Sequence, residues 1–246
     1  GLWLILWGFF KKLVIADNLA IVADQVFGAT GEVSGAYVLL GIYAFTFQIY
    51  CDFSGYTDIA RGLAKLMGIE LMINFNLPYL ARNPSDFWRR WHISLSTWLR
   101  DYLYIPLGGN RGGRWNTYRN LMLTMLLGGI WHGAAWTYVI WGLYHGMLLS
   151  VHRALSERRL LEWRWLDTKA GSVVAVVGMF HLTCLGWLFF RADSVGQVGY
   201  FLRQIATDMS FGLPAATVAF SVLFYVALLC LFESYLRGHD DPRTVK

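Results

Sequence analysis

The chain has 246 residues, of which 56% are hydrophobic, 17% aromatic and only 15% charged, and its mean hydropathy is +0.42. That balance excludes an ordinary water-soluble domain and indicates an integral membrane protein. The net charge of +5 comes from Lys and Arg gathered in short segments between apolar runs, a pattern of membrane topology and lipid contact; no basic run is long enough to track a phosphate backbone, so nucleic acid is not an expected partner.

The chain opens inside an apolar stretch, Gly1 to Trp7, without the charged start and small-residue cleavage site of a signal peptide. The expectation is one membrane domain, residues 1–246, lacking N-terminal helices of a longer protein. Residues 2–27 read as a helix whose Lys11-Lys12 pair either snorkels to an interface or packs beside a wet cavity. After a turn at 28–35, the run Ala36 to Cys51 predicts a span. It ends in Asp52-Phe53-Ser54-Gly55-Tyr56-Thr57-Asp58, whose two carboxylates mark an interface, a proton path or a ligand site. A short helix carrying Arg61 and Lys65 is expected to follow.

Pro78 and the asparagines of Asn74-Phe75-Asn76-Leu77-Pro78-Tyr79 argue for a loop. Asn83-Pro84 then supplies an N-cap with proline at the first helical position, and Asp86 adds favourable charge in the first turn. Trp88, Trp91, Leu95, Trp98 and Tyr102 recur at spacings of three and four, opposite a polar row of Arg90, Ser94, Thr97 and Asp101. This predicts one interfacial amphipathic helix with His92 at the edge of its apolar face. The loop Pro106 to Arg114 combines four glycines with two arginines; flexible amides and the guanidinium groups of Arg111 and Arg114 suit a phosphate, though glycine-rich basic loops also serve simply as cytoplasmic turns.

From Leu121 to Leu149 no Asp, Glu, Lys or Arg occurs, a length that a bilayer-spanning segment demands. Its centre, Leu127-Gly128-Gly129-Ile130-Trp131-His132-Gly133, sets one histidine among three poor helix formers, so the helix is expected to thin or break and to leave backbone groups that lipid cannot satisfy. An ionisable residue at such a break is a functional-site candidate or a neutral packing histidine. On one unbroken helix His145 would face away from His132. The tract from His152 to Lys169, with Trp163 and Trp165 among basic residues, reads as a cytoplasmic hairpin. Two more spans, Ala170 to Phe190 and Thr217 to Leu236, are expected, with a mildly amphipathic helix near Val195 to Ile205; His181 is read as a packing residue. Cys51, Cys184 and Cys230 show no paired or metal-ligating spacing, so inert thiols and no metal are expected. The fold class is therefore all-α: a polytopic membrane bundle with interfacial amphipathic helices.

Taken together, Cys51-Asp52-Phe53-Ser54-Gly55-Tyr56-Thr57-Asp58, Asn74-Phe75-Asn76-Leu77-Pro78-Tyr79, Phe87-Trp88-Arg89-Arg90-Trp91-His92-Ile93-Ser94-Leu95-Ser96 and Trp131-His132-Gly133 resemble the membrane-bound O-acyltransferase family, on the side of its members that acetylate exported bacterial polysaccharides such as alginate. The resemblance runs from about Gly1 to Arg191 and weakens beyond it. It implies that His132 matches the family's catalytic histidine and His92 its second histidine. It also implies a path through the bacterial inner membrane, with an acyl thioester donor such as acetyl-CoA arriving from the cytoplasm as a substrate rather than a tightly held cofactor. The acceptor, a polysaccharide hydroxyl or a periplasmic acetyltransferase, would come from the other side. The residue chemistry agrees, since acyl transfer needs a base for the attacking hydroxyl and donors for the oxyanion. A transporter or channel would also use broken helices and buried polar groups, but the chain lacks the paired interrupted segments of two transporter halves. A non-catalytic membrane scaffold of a polysaccharide-export complex is the other alternative.

Overall fold

The computed structural model describes residues 1–158, 160 and 168–238, with the side chains of 236–238 left out of the account. Trp163, Trp165 and the polar tail from 239 onward lie outside the described residues. Every regular element among the described residues is helical. Three helices are long and apolar enough to cross a membrane: Gly35–Leu66, Lys169–Arg191 and Leu213–Tyr235. All three fall on the spans expected from hydropathy. The chain divides into two compact units, residues 1–73 with 196–246, and residues 74–195.

In the first unit, α1 (Leu2–Phe9) runs through a π-helical stretch (Phe10–Ala16) into α2 (Asp17–Phe27) and then, after a turn, α3 (Gly35–Leu66). Ser34 caps α3 by accepting from the Tyr37 N–H at 3.3 Å. α3 does not end at Cys51. It continues without a break through both carboxylates and Arg61 to Leu66, 32 residues in all, so the expected span and the separate short helix are one helix. The reason is local neutralisation. Lys11 Nζ, buried at 2% exposure, donates to Asp58 Oδ2 at 2.6 Å and Ser54 Oγ at 2.9 Å; Arg61 takes the other Asp58 oxygen at 3.3 Å, and Lys12 joins Asp17 and Asp52, each at 2.7 Å. With their charges paired, the carboxylates give the helix no reason to stop. The π stretch carries both lysines, and the wider turn is a common device for re-aiming side chains at such places.

Small residues bring these helices together. A Cβ on Gly8 would stand 2.5 Å from the Gly55 carbonyl oxygen, and one on Gly62 2.7 Å from the Gly1 carbonyl oxygen, so glycine is what the contact demands. α9 (Val195–Thr207) buries Val198 and Phe201, while α10 (Leu213–Gly238) is tied to α3 by the Tyr50 hydroxyl donating to Glu233 at 2.7 Å.

In the second unit, a 3₁₀ turn (Pro78–Leu80) leads to α4 (Pro84–Arg90), capped as expected by Asn83, whose side chain accepts from the Asp86 N–H at 2.8 Å. The single amphipathic helix expected here is instead three pieces: α4, α5 (Ile93–Leu99) and a π turn (Arg100–Tyr104). Between α4 and α5, Trp91 is extended and His92 is left-handed at φ 42°, ψ 57°. The segment 74–76 makes this break possible by pairing the freed backbone: Ile93 N–H donates to Asn74 O at 3.0 Å and Asn76 N–H to Arg90 O at 2.9 Å. The Asn74 side chain then accepts from Ser94 N–H at 3.0 Å and Ser94 Oγ at 2.7 Å. Competing local partners of this kind are what end a helix that its apolar periodicity would continue.

The run 121–149 is also not one interrupted span. α6 (Arg114–His132) and α7 (Trp136–Glu157) fold back on each other as a hairpin. Glycines set their separation: a Cβ on Gly142 would lie 2.5 Å from the Met125 carbonyl oxygen, and one on Gly146 2.9 Å from Met122 Sδ. α8 (Lys169–Arg191) lies along α7, where the Tyr144 hydroxyl donates to Leu182 O at 2.8 Å.

Candidate active site

His132 is the last residue of α6, and the chain turns at the glycine that follows it. The expected break is therefore present and is the tip of the hairpin. The imidazole is half-buried, held among rings rather than among charges: Trp141 at 5.1 Å between centroids and 89°, Phe190 at 5.2 Å and 81°, and Trp131 at 5.1 Å. Gly133 keeps the turn open, since a Cβ there would stand 2.7 Å from the Tyr138 ring. Its amide donates to Ile130 O at 3.2 Å and is spent. The next helix, α7, starts from Ala135 with no side-chain cap, so its first-turn N–H groups at Trp136 and Thr137 present donors and the positive end of the helix dipole beside the turn.

His92 is half-buried at the break before α5, outside the membrane-spanning helices, with its ring 6.5 Å from that of Phe75. Burial first, and the neighbouring His132 second, push its pKa down to about 4 from an ordinary 6.5. The fold thus brings the two histidines within electrostatic reach although 40 positions separate them in sequence, through the pairing of 74–76 with the start of α5 and the turn of the hairpin.

His145, which the periodicity of a single helix placed on the far side, is instead part of the same aromatic cluster. It is fully buried, its ring 4.9 Å from Trp141 and 5.2 Å from Trp88, and parallel to Phe87 at 6.0 Å. Trp141 stands between the two imidazoles. Trp88 also lines a cavity of about 220 Å³ walled by Leu99, Leu121, Thr124, Met125 and Leu149, with Ser96, Arg100 and Tyr104 as its polar members. His181 bonds within its own helix, its Nδ1 donating to Val177 O at 2.8 Å.

Arg111 and Arg114 are not gathered around the histidines. They lie at the other end of α6, 18 positions before His132 in the case of Arg114, about 27 Å along a helix. Gly108, Gly109, Gly112 and Gly113 all have positive φ, which gives the loop its shape. Asn110 Oδ1 accepts from Tyr104 Oη at 2.6 Å, Asn120 Nδ2 donates to Gly109 O at 3.0 Å, and the Arg114 guanidinium lies 5.7 Å from the Trp115 ring. Sequence reasoning missed Asn74, Trp141 and Phe190. Asn74 stood in a recognised motif without a partner to assign, whereas the ring contacts depend on the hairpin.

Comparison with known proteins identifies the family. The sequence profile of the membrane-bound O-acyltransferase family matches residues 1–191. The chain is 51% identical over 253 aligned positions to a probable alginate O-acetylase of Pseudomonas putida, covering 96% of this chain and 49% of that protein. It is 48% identical over 195 positions to the peptidoglycan O-acetyltransferase of Helicobacter pylori, covering 79% and 36%. To the teichoic acid D-alanyltransferase of Bacillus subtilis it is 34% identical over 205 positions, covering 77% and 50%. The chain thus spans half or less of the length of these curated relatives. With the profile covering most of its length, from the first helix to the end of α8, the chain belongs to the membrane-bound O-acyltransferase family.

Proposed function

We propose that residues 1–246 form a single membrane domain of a bacterial inner-membrane O-acyltransferase, which moves an acyl group, acetyl by its relatives' names, from a cytoplasmic thioester to a hydroxyl of an exported polysaccharide or of a periplasmic partner. His132 is the general base. Its imidazole takes the proton as the acceptor oxygen attacks the thioester carbonyl, the uncapped first turn of α7 faces the resulting oxyanion, and the imidazolium returns the proton to the departing thiolate. His92 orients one of the two reactants beside it. Arg111 and Arg114, at the opposite end of α6, hold the phosphates of a coenzyme A or phosphopantetheine donor.

The observation that carries the reading is the placement of a half-buried imidazole at the end of α6, directly before an uncapped helix start and walled by aromatic rings. A base and a set of oxyanion donors need that adjacency. The test is transfer of radiolabelled acetyl from acetyl-CoA to an acceptor polysaccharide by the full-length protein. His132→Gln should lower it by about 10² to 10⁴, the usual worth of a positioned acid or base. Full activity in a folded His132→Gln protein overturns the assignment, and an acyl group trapped on His132 from donor alone replaces base catalysis with a covalent route.

A further inference from the structure

At the end of the second unit opposite the hairpin tip, α4 and the last turns of α7 enclose a groove of about 450 Å³. Its walls are polar. Arg89 and Arg153 supply the positive groups, His152 an imidazole, Ser85 a hydroxyl, Asn83 an amide, and Glu157 the one carboxylate among the described residues. Glu157 is already engaged, accepting from Arg153 Nε at 2.6 Å and from the Tyr118 hydroxyl at 3.1 Å. Among the described residues Arg89 holds only a long contact to Asp86, 3.6 Å, and that carboxylate is taken at 2.9 Å by Arg90. The groove therefore carries more positive charge than its own carboxylate neutralises. Guanidinium forks in such a setting select an anion, and oxygen-rich phosphate in particular, over a neutral sugar or a cation. The volume exceeds that of a bare phosphate and leaves room for the organic part of an ester.

We propose that this groove binds a phosphate ester, with Arg89 and Arg153 clamping the phosphate oxygens and Ser85 donating a further hydrogen bond. It rests on the thioester-donor reading and extends it: the anchoring point of the donor's carrier arm is α4 with α7, in addition to the glycine-arginine loop. Two features support the placement. Arg153 Nη1 also donates to Asn110 Oδ1 at 3.4 Å, so the loop that carries Arg111 is registered to the groove wall. Ser85 Oγ lies 3.3 Å from His152 Nδ1, so an arriving phosphate has a hydroxyl and an imidazole to meet as well as the guanidiniums.

Two sources offer this chemistry, the coenzyme A or phosphopantetheine arm of the donor and the headgroup of an acidic phospholipid, and the experiment separates them. The full-length protein is placed in nanodiscs of phosphatidylcholine, and equilibrium binding of coenzyme A is measured beside pantetheine, which lacks phosphate. Coenzyme A should bind and pantetheine should bind at least about 10-fold more weakly, the effect of losing one charge-assisted pair. Arg89→Gln and Arg153→Gln should each weaken coenzyme A by a similar factor, Arg89→Lys should recover part of the loss, and Arg203→Gln, on α9, should change nothing. If phosphatidylglycerol in the nanodisc displaces coenzyme A in the wild type but not in Arg89→Gln, lipid is a second occupant of the same site. Coenzyme A and phosphatidylglycerol binding unchanged in both arginine variants overturns the site. His132→Gln should bind coenzyme A like the wild type, so a failed groove leaves the catalytic reading standing, and loss of the catalytic reading leaves the binding result intact.

Discussion

The imidazole of His132 meets Trp141 at 89° with 5.1 Å between ring centroids, and that indole belongs to the helix that returns from the turn His132 itself begins. The ring orientation of the candidate base is thus fixed by the hairpin rather than by a hydrogen-bonded carboxylate. Trp141→Phe keeps an apolar ring but shortens it, so turnover per folded molecule should fall by about 10-fold or more while the donor KM stays unchanged, because misplacement of a base acts on the chemical step. Steady-state kinetics on the purified full-length protein read both parameters. A raised KM with intact kcat would assign Trp141 to substrate binding instead.

His92 should leave a trace in stability as well as in rate. Its pKa is about 4 when folded and 6.5 ordinarily, so the unfolded chain binds the proton more readily. The stability it contributes is complete above pH 6.5 and is lost as pH falls toward 4. Detergent-solubilised His92→Asn, chosen because asparagine tolerates the left-handed backbone at φ 42°, should lose less stability across that window than the wild type, as read by thermal unfolding at pH 7 and pH 5. The variant should insert normally and turn over more slowly. Equal pH dependence in the two proteins would remove His92 as the group responsible.

Asp58 stands between two buried cations, 2.6 Å from Lys11 and 3.3 Å from Arg61. Asp58→Asn leaves both without a counter-charge and should cost about 3–5 kcal/mol, whereas the triple change Lys11→Met, Asp58→Leu and Arg61→Met, which removes the carboxylate together with both of its cations, should cost much less. Denaturation midpoints of the single and triple variants decide it. A triple variant as unstable as the single one would show that packing, not charge, sets the cost.

Arg111 and Arg114 predict a donor-specific effect. Replacing both with Gln should raise the KM for the thioester several-fold and leave that of the acceptor unchanged. The positive-inside pattern puts the same loop in the cytoplasm, so a cysteine at position 115 should resist an impermeant thiol reagent in intact cells and react in inverted vesicles.

The spans and caps were legible because each depends on neighbours in sequence: the apolar lengths of α3, α8 and α10, Asn83 before Pro84, and the glycines after Leu127. What failed did so through distant partners. The apolar stripe from Trp88 to Tyr102 predicts one helix, and the segment 74–76, whose Asn74 lies 20 positions before Ser94, ends it. Asp52 and Asp58 looked like the end of a span because their counter-ions, Lys12 and Lys11, sit on another element. His145 was set apart from His132 by the geometry of one helix, and the hairpin puts both against Trp141. In each case the residue was visible and its partner was not, since neither periodicity nor composition encodes which helices meet.

The hairpin also acts as a gauge of thickness. Trp115 at the start of α6 and Trp131 near its end are 74% and 67% exposed, and exposed tryptophans settle at the two water–lipid boundaries. Sixteen residues of helix separate them, about 24 Å, against about 30 Å for an average hydrocarbon core. A bilayer of average thickness therefore leaves one of the two rings in hydrocarbon, or thins beside α6 to meet both. The helix itself fixes the distance from the basic loop to the turn at His132, so lipid chain length becomes a determinant of whether that turn opens to water rather than of how far a thioester has to reach.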